Sequence, residues 1–319
     1  MIAGGTRAAA ATLAFATALA AGGCAAPQSA ALRAASGTPL AAVVEALPRQ
    51  VLLAGVPFFP QTDYECGPAS LAMALAAAGR ARTPESLTAA VYLPARQGTL
   101  QVEMLALPGR EGMLAVRLPG ELTALLRTVA EGHPVVVFQN LGLAATPVWH
   151  YAVLVGYDLA ANRLILHSGT EASMPMSLDT FERTWVRGGY WAMVVTPPSR
   201  IPAAATQRDA LRAAVSLERS DRAAALAAYE ALRARAPDDR LTLFALANAM
   251  LADGRAAPAV AAYRELLGRH PDFADGWNNL ANALADLGEM PAARDAAQRA
   301  IAIGGPGIDA YRQTAARLR

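Results

Sequence analysis

The spacing of apolar and polar positions divides the chain into regions of different character. Residues 8–21 are an apolar run rich in alanine with Thr12 and Thr17 within it, and residues 25–48 hold Ala, Ser, Pro and Gly with no sustained period. From Arg49 onward, Val51-Leu52-Leu53 and Val56-Pro57-Phe58-Phe59 read as short extended pieces. They lead into residues 71–78, whose density of Ala, Leu and Met predicts a buried helix starting near Cys66. Thr83-Pro84-Glu85-Ser86 carries the start signals of another helix, with Thr83 as N-cap and Pro84 in the first turn. Further helices are predicted over residues 98–107 and 120–130. Residues 133–139 form a continuous apolar run, as expected of a buried strand. Residues 150–157 and 163–167 flank a polar turn and predict an antiparallel hairpin. With that turn centred near Leu159, His150 would pair opposite His167. Residues 185–196 would close the sheet, giving helices on one side and an antiparallel sheet on the other.

Beyond Pro197-Pro198 the pattern becomes helical and periodic. Tyr229 and Tyr263 lie 34 residues apart, as do Pro237-Asp238 and Pro271-Asp272, Asn248 and Asn282, and Gly254 and Gly288. A period of that length with small residues where helices would pack resembles the tetratricopeptide repeat. Trp277, Leu280, Ala281, Ala293 and Ala300 occupy its packing positions, and Leu246, Ala247, Ala259, Tyr263 and Pro271 do so one repeat earlier. Residues 208–240 read as a weaker first repeat and residues 307–319 as a capping helix. The expected organisation is a signal peptide over 1–24, a flexible tether over 25–48, a first domain over 49–198, a linker over 199–207 and a repeat domain over 208–319.

Composition narrows the possibilities. A chain of 319 residues that is 54% hydrophobic can bury two cores, and its net charge of +2 without a Lys/Arg block gives no reason to expect nucleic acid as a partner. No glycine-rich phosphate loop follows a predicted strand, and four histidines and one thiol without tight spacing suggest neither a metal nor another cofactor. His133 and His270, each before a proline, read as surface residues. Arg7, the apolar run and Ala21-Gly22-Gly23-Cys24 read as an export signal. Small residues directly before Cys24 resemble the lipobox of bacterial lipoproteins, with Ala21 where such boxes usually carry Leu. That resemblance implies lipid on Cys24, attachment to the outer membrane and a chain facing the periplasm; a plain secretory signal cut near Ala26 is the alternative. With Cys24 acylated, Cys66 has no disulfide partner in an oxidising compartment.

The candidate chemistry centres on Cys66. Cys66-Gly67-Pro68 delivers the cysteine onto the first turn of a helix, whose free amides and positive dipole end favour thiolate over thiol. Gln61, five residues earlier, is placed to donate its side-chain amide to an oxyanion. His150 heads a strand, and His167 lies on the next one. A cysteine on a helix start, a downstream strand histidine and an orienting group beside it form the layout of papain-like thiol enzymes, in which the imidazole takes and returns the thiol proton.

Gln61-x4-Cys66-Gly67-Pro68-Ala69-Ser70-Leu71 and His150-Tyr151-Ala152-Val153-Leu154-Val155-Gly156-Tyr157-Asp158 together resemble the C39-type peptidases, which process leader peptides at double-glycine sites. The resemblance implies an α+β papain-like domain, with Cys66 as nucleophile, His150 as general base and acid, and Gln61 as oxyanion donor beside the amide of Cys66. Such domains carry an Asp, usually followed by Pro, about seventeen residues after the histidine; this chain has His167-Ser168. His167 is thus the candidate third member, with Asp158 and Asn140 as substitutes. The expected function is a membrane-tethered cysteine peptidase acting on a peptide or protein, with an all-α tetratricopeptide-repeat domain gripping substrate or a protein partner. A peptide-binding scaffold on a degenerate cleft is the alternative, and an acyltransferase or amidase with the same dyad is a third.

Overall fold

A computed structural model describes residues 26–35, 39–61, 65–96 and 98–319. The export signal and Cys24 lie outside the described residues. The expected tether does not: two short helices, α1 (Pro27–Arg33) and α2 (Pro39–Glu45), occupy much of it. Ser29 and Ala35 are buried. Ala, Pro and Ser without a period gave no helical signal, because α1 is held by partners far along the chain and not by its own pattern.

The first domain is built on a sheet of seven strands paired throughout in the antiparallel sense. Its strands are β1 (Gln50–Leu52), β4 (Leu114–Arg117), β5 (Val135–Asn140), β6 (Trp149–Asp158), β7 (Arg163–Ser168), β8 (Glu171–Ser177) and β9 (Ala192–Thr196). They run in the order β4-β9-β5-β6-β7-β8, with β1 paired to the far half of β6. A two-stranded ribbon, β2 (Tyr92–Leu93) with β3 (Gly98–Thr99), stands apart. Residues 114–117 and 171–177 lacked a legible strand pattern. Trp185, expected at the start of the closing strand, lies on a helix.

Helices cover both faces of the sheet, where one covered face was expected. Along β6, Tyr151, Val153 and Val155 face α3 (Cys66–Ala77), α4 (Pro84–Val91) and α5 (Gln101–Arg110), while Ala152 and Leu154 face α6 (Leu122–Ala130) and α7 (Leu178–Arg187). A strand buried on both faces loses the apolar/polar alternation, so the sequence could not show which face was covered. The Thr83 hydroxyl caps α4 by accepting the Ser86 amide at 3.4 Å. Buried Phe181 and Trp185 give α7 its inner stripe.

The repeats follow as α8 (Gln207–Glu218), α9 (Arg222–Arg235), α10 (Arg240–Ala252), α11 (Ala256–Arg269), α12 (Ala274–Asp286), α13 (Met290–Ile303) and α14 (Ile308–Arg317). Tyr229 and Tyr263, equivalent in the 34-residue period, are both fully buried. The core does not break at residues 199–207. Ala205, Ala210, Ala214 and Leu217 pack with Leu114, Val116 and Leu125 of the first domain, and the division between cores runs through α10, with Leu246 on one side and Leu243 on the other. Arg235 fastens the connecting segment through the carbonyls of Pro202 and Ala205.

Candidate active site

Cys66 is half-buried at the first turn of α3, the free cysteine among the described residues. Its sulfur faces backbone amides from its own residue, from Gly67 and from Tyr151. The Tyr151 amide is available because the β6–β7 ladder ends at the pair Val153 with His167. The thiol therefore sits at the end of that ladder, beside the residue that follows His150. Gly67 is required here by space: a Cβ would lie 2.4 Å from the Oγ1 of Thr99. Tyr151 locks the same corner by donating its hydroxyl to the Thr99 carbonyl at 3.2 Å.

Gln61 is buried and fixed at both ends of its side chain. Its Oε1 accepts the amide of Gly169 at 3.2 Å, and its backbone N–H donates to the Gly169 carbonyl at 2.9 Å. Its Nε2 reaches the Oγ of Ser70 at 3.4 Å. Ser70 is one helical turn after Cys66 on the same face, so the Gln61 amide lies a turn along α3 from the sulfur. Gly169 holds a φ of 56°, a backbone conformation that glycine adopts without strain.

His150 and His167 do not pair. The hairpin is centred nearer Ala160 and Ala161, and a bulge between Leu154 and Gly156 removes one residue of register, so His167 falls opposite Val153. An odd shift moves every side chain to the other face. His167 consequently faces away from His150: its Nδ1 accepts the Ser173 amide at 3.0 Å, its Nε2 donates to the Val56 carbonyl at 3.3 Å, and its ring meets Phe58 edge-on. Both nitrogens are engaged by backbone groups, which fixes a neutral imidazole that clips residues 56–58 to β7.

Ser168 takes the place expected of His167. Its Oγ lies 2.9 Å from Nε2 of His150. The two-residue alternation of β7 puts Ser168 on the side of Ala152 and His150; only the position of the bulge identifies it, and its one signal in the sequence is the lone Gly156 inside the strand. Ser168 is joined directly to Gly169, so one turn between β7 and β8 holds both His150 and Gln61. The two substitutes are engaged elsewhere. Asp158, at the far end of β6, pairs with Arg163, and the Oδ1 of Asn140 accepts the amides of Gly142 and Val148, which shapes the loop before His150. His133, expected at the surface, is buried, which depresses its pKa.

Burial dominates the electrostatics. It raises the Cys66 thiol above its ordinary value, against the three amides that favour thiolate. It lowers His150 to about 4. Burial therefore opposes the thiolate that the helix end favours: a helix end contributes about 0.3–1 kcal/mol in exposed settings, while desolvation shifts buried groups by up to several pKa units.

In the repeats, α11, α12 and α13 enclose a groove of about 550 Å³ floored by Leu267, Leu280 and Leu284. Trp277 stands at its edge with the Arg299 guanidinium 5.3 Å from its ring centre.

Comparison with known proteins places both halves. Residues 53–193 match the model of the Peptidase_C39 like family, and residues 242–272 match that of the tetratricopeptide repeat. Among solved structures, the chain is similar to a protein from Bacillus anthracis described as C39-like peptidase, with 20% identity over 47% of this chain and 98% of that one and a TM-score of 0.39. It is also similar to the peptidase domain of Streptococcus ComA, a transporter involved in quorum sensing, with 21% identity over 44% and 98% of the two chains and a TM-score of 0.37. The tetratricopeptide-repeat domain of Sgt2 from Aspergillus fumigatus matches with 20% identity, 35% and 76% coverage and a TM-score of 0.33. No curated protein matches the sequence.

Proposed function

For a chain that joins a C39-like domain to a tetratricopeptide repeat, we propose a cysteine peptidase with Cys66 as nucleophile, His150 as general base and acid, and Gln61 as oxyanion donor. The observation that carries this reading is the Ser168-Gly169 turn, which fixes His150 and Gln61 together while the Cys66 sulfur meets the amide next to His150. Membrane attachment through lipid on Cys24, with the enzyme facing the periplasm, belongs to the same proposal.

With Nε2–H donated to Ser168, Nδ1 of His150 is the free lone pair for the thiol proton. Sulfur attacks the peptide carbonyl as that proton moves to Nδ1, and the oxyanion takes hydrogen bonds from the Gln61 Nε2 and the amide of Cys66. The imidazolium then protonates the leaving amine, the C–N bond breaks and a thioester remains. Water, deprotonated by the regenerated imidazole, attacks the thioester, releasing the acid and restoring the thiol. Because burial disfavours charge on both groups, the proposed proton transfer accompanies the attack. The repeats hold substrate or a protein partner, for which the groove beside Trp277 offers an apolar floor.

A peptide-binding module is favoured by a different observation: His150 has a hydroxyl partner instead of a carboxylate, and burial disfavours charge on both reacting groups. The two readings separate in one experiment on wild type, Cys66→Ala and His150→Ala. Peptide mixtures are digested and read by mass spectrometry, and the thiol is alkylated across pH. The peptidase reading expects cleavage that vanishes in both variants and a Cys66 alkylation rate at neutral pH that drops on His150→Ala. No cleavage, with alkylation indifferent to His150, overturns it in favour of the binding module.

A further inference from the structure

The N-terminal helix α1 is bound into the first domain by reciprocal capping. Glu182 of α7 is fully buried, and its carboxylate oxygens accept the amides of Gln28 at 2.9 Å and Ser29 at 2.7 Å. In return, the Gln28 side chain caps α6: its Oε1 accepts the Leu122 amide at 2.7 Å and its Nε2 donates to the Gly120 carbonyl at 2.9 Å. Asp179 accepts the Ser29 hydroxyl at 2.6 Å and the Arg33 guanidinium at 2.7 Å.

Apart from α1, the donor to the Glu182 carboxylate among the described residues is the Tyr190 hydroxyl at 3.3 Å. Hydrogen bonds to a carboxylate are stronger than those between neutral groups, and a buried carboxylate is costly to leave without its donors. Release of α1 would take two amides from Glu182 and the Gln28 cap from α6, so α1 is part of the domain and not a length of tether.

Cys24 precedes Pro27 by three residues. Three extended residues reach at most ~11 Å. By contrast, residues 25–48 as a free coil would span roughly 25–30 Å on average and allow any orientation. We propose that α1 is a rigid mount, which, given the acylation of Cys24 proposed above, holds the face of α6 and α7 against the lipid surface and leaves the opposite face, α3 to α5, turned away from it. The membrane-facing partner is the bilayer surface itself, and the mount fixes how the candidate active site is presented instead of letting the domain swing.

The test uses the full-length chain exported and processed in a bacterial host, then reconstituted in vesicles of phosphatidylethanolamine and phosphatidylglycerol that carry a lipid-bound quencher. A single fluorophore is placed at Arg183→Cys on α7 or at Ala90→Cys on α4, each with Cys66→Ser. The mount predicts several-fold stronger quenching at position 183 than at position 90. A flexible Gly/Ser insertion between Ala26 and Pro27 should equalise the two. Equal quenching without the insertion, on protein whose Cys24 carries lipid by mass spectrometry, overturns the mount. A Cys24 without lipid overturns the acylation on which it stands. Amide exchange at Gln28 and Ser29 reads the docking separately: slow exchange in the wild type that becomes fast in Glu182→Ala supports it, and fast exchange in the wild type overturns it.

Discussion

The imidazole of His150 is held by a serine: its Nε2 lies 2.9 Å from the Oγ of Ser168, across the hairpin that the sequence suggested would pair it with His167. A hydroxyl fixes the ring but brings no negative charge, so in the proposed mechanism Ser168 would position the base without stabilising the imidazolium.

Replacing Ser168 with Ala should therefore lower kcat on a cleaved peptide by ~3–10-fold with KM little changed, the range expected for one neutral hydrogen bond of about 0.5–1.5 kcal/mol. Ser168→Asp should raise the His150 pKa and increase cysteine reactivity near neutral pH. Steady-state kinetics and alkylation profiles check both, and an unaltered pH profile in the Asp variant would sink the assignment.

His167→Ala should act on stability. Removing the clip leaves the buried Val56 carbonyl without its partner, about 1–3 kcal/mol, while the amide of exposed Ser173 can turn to water. Thermal melting should show a lower Tm, while the pH dependence of Cys66 alkylation stays as in the wild type. A changed profile would restore His167 to the candidate site.

Acid should destabilise the fold. His150, His133 and His167 all have pKa values depressed by burial. Neutral in the folded state, they take up protons on unfolding, so stability is complete above about 6.5, the unfolded histidine value, and falls as pH drops below it. For His150 the loss continues to about 4, where the folded form also protonates. Chemical denaturation between pH 7 and 4 should show that slope, and His150→Ala should flatten it by ~1–3 kcal/mol over the window.

Gly67→Ala should disturb the site by crowding. The added Cβ meets Thr99 at 2.4 Å from its Oγ1, in a corner that Tyr151 holds closed. Overpacking of this kind costs about 1–3 kcal/mol. A lower Tm with slowed alkylation of Cys66 is expected; a variant of unchanged Tm and reactivity would show that Thr99 gives way freely.

Leu217→Ala should unfold both halves together. Leu217 is buried in the core that α8 shares with β4, and its loss should cost about 2–4 kcal/mol. Calorimetry should record one cooperative transition moving down for the first domain and α8–α10. Two separate transitions, with the first unmoved, would show that the shared core does not couple them.

What the sequence determined by itself was local or periodic. Cys66-Gly67-Pro68 before an apolar helix, a strand begun by His150 and a 34-residue period are each written within a few dozen residues, because capping, helix packing and repeat stacking act at short separation. The tertiary structure alone decided the rest. Whether His167 or Ser168 meets His150 depends on a bulge of one residue, which reverses the faces of β7. Whether Cys66 rests as thiolate depends on how much of the fold buries it, since desolvation depends on packing, and no residue pattern states it. And α1, which has no pattern of its own, becomes a helix because Glu182, some 150 residues away, supplies the acceptors for its first amides.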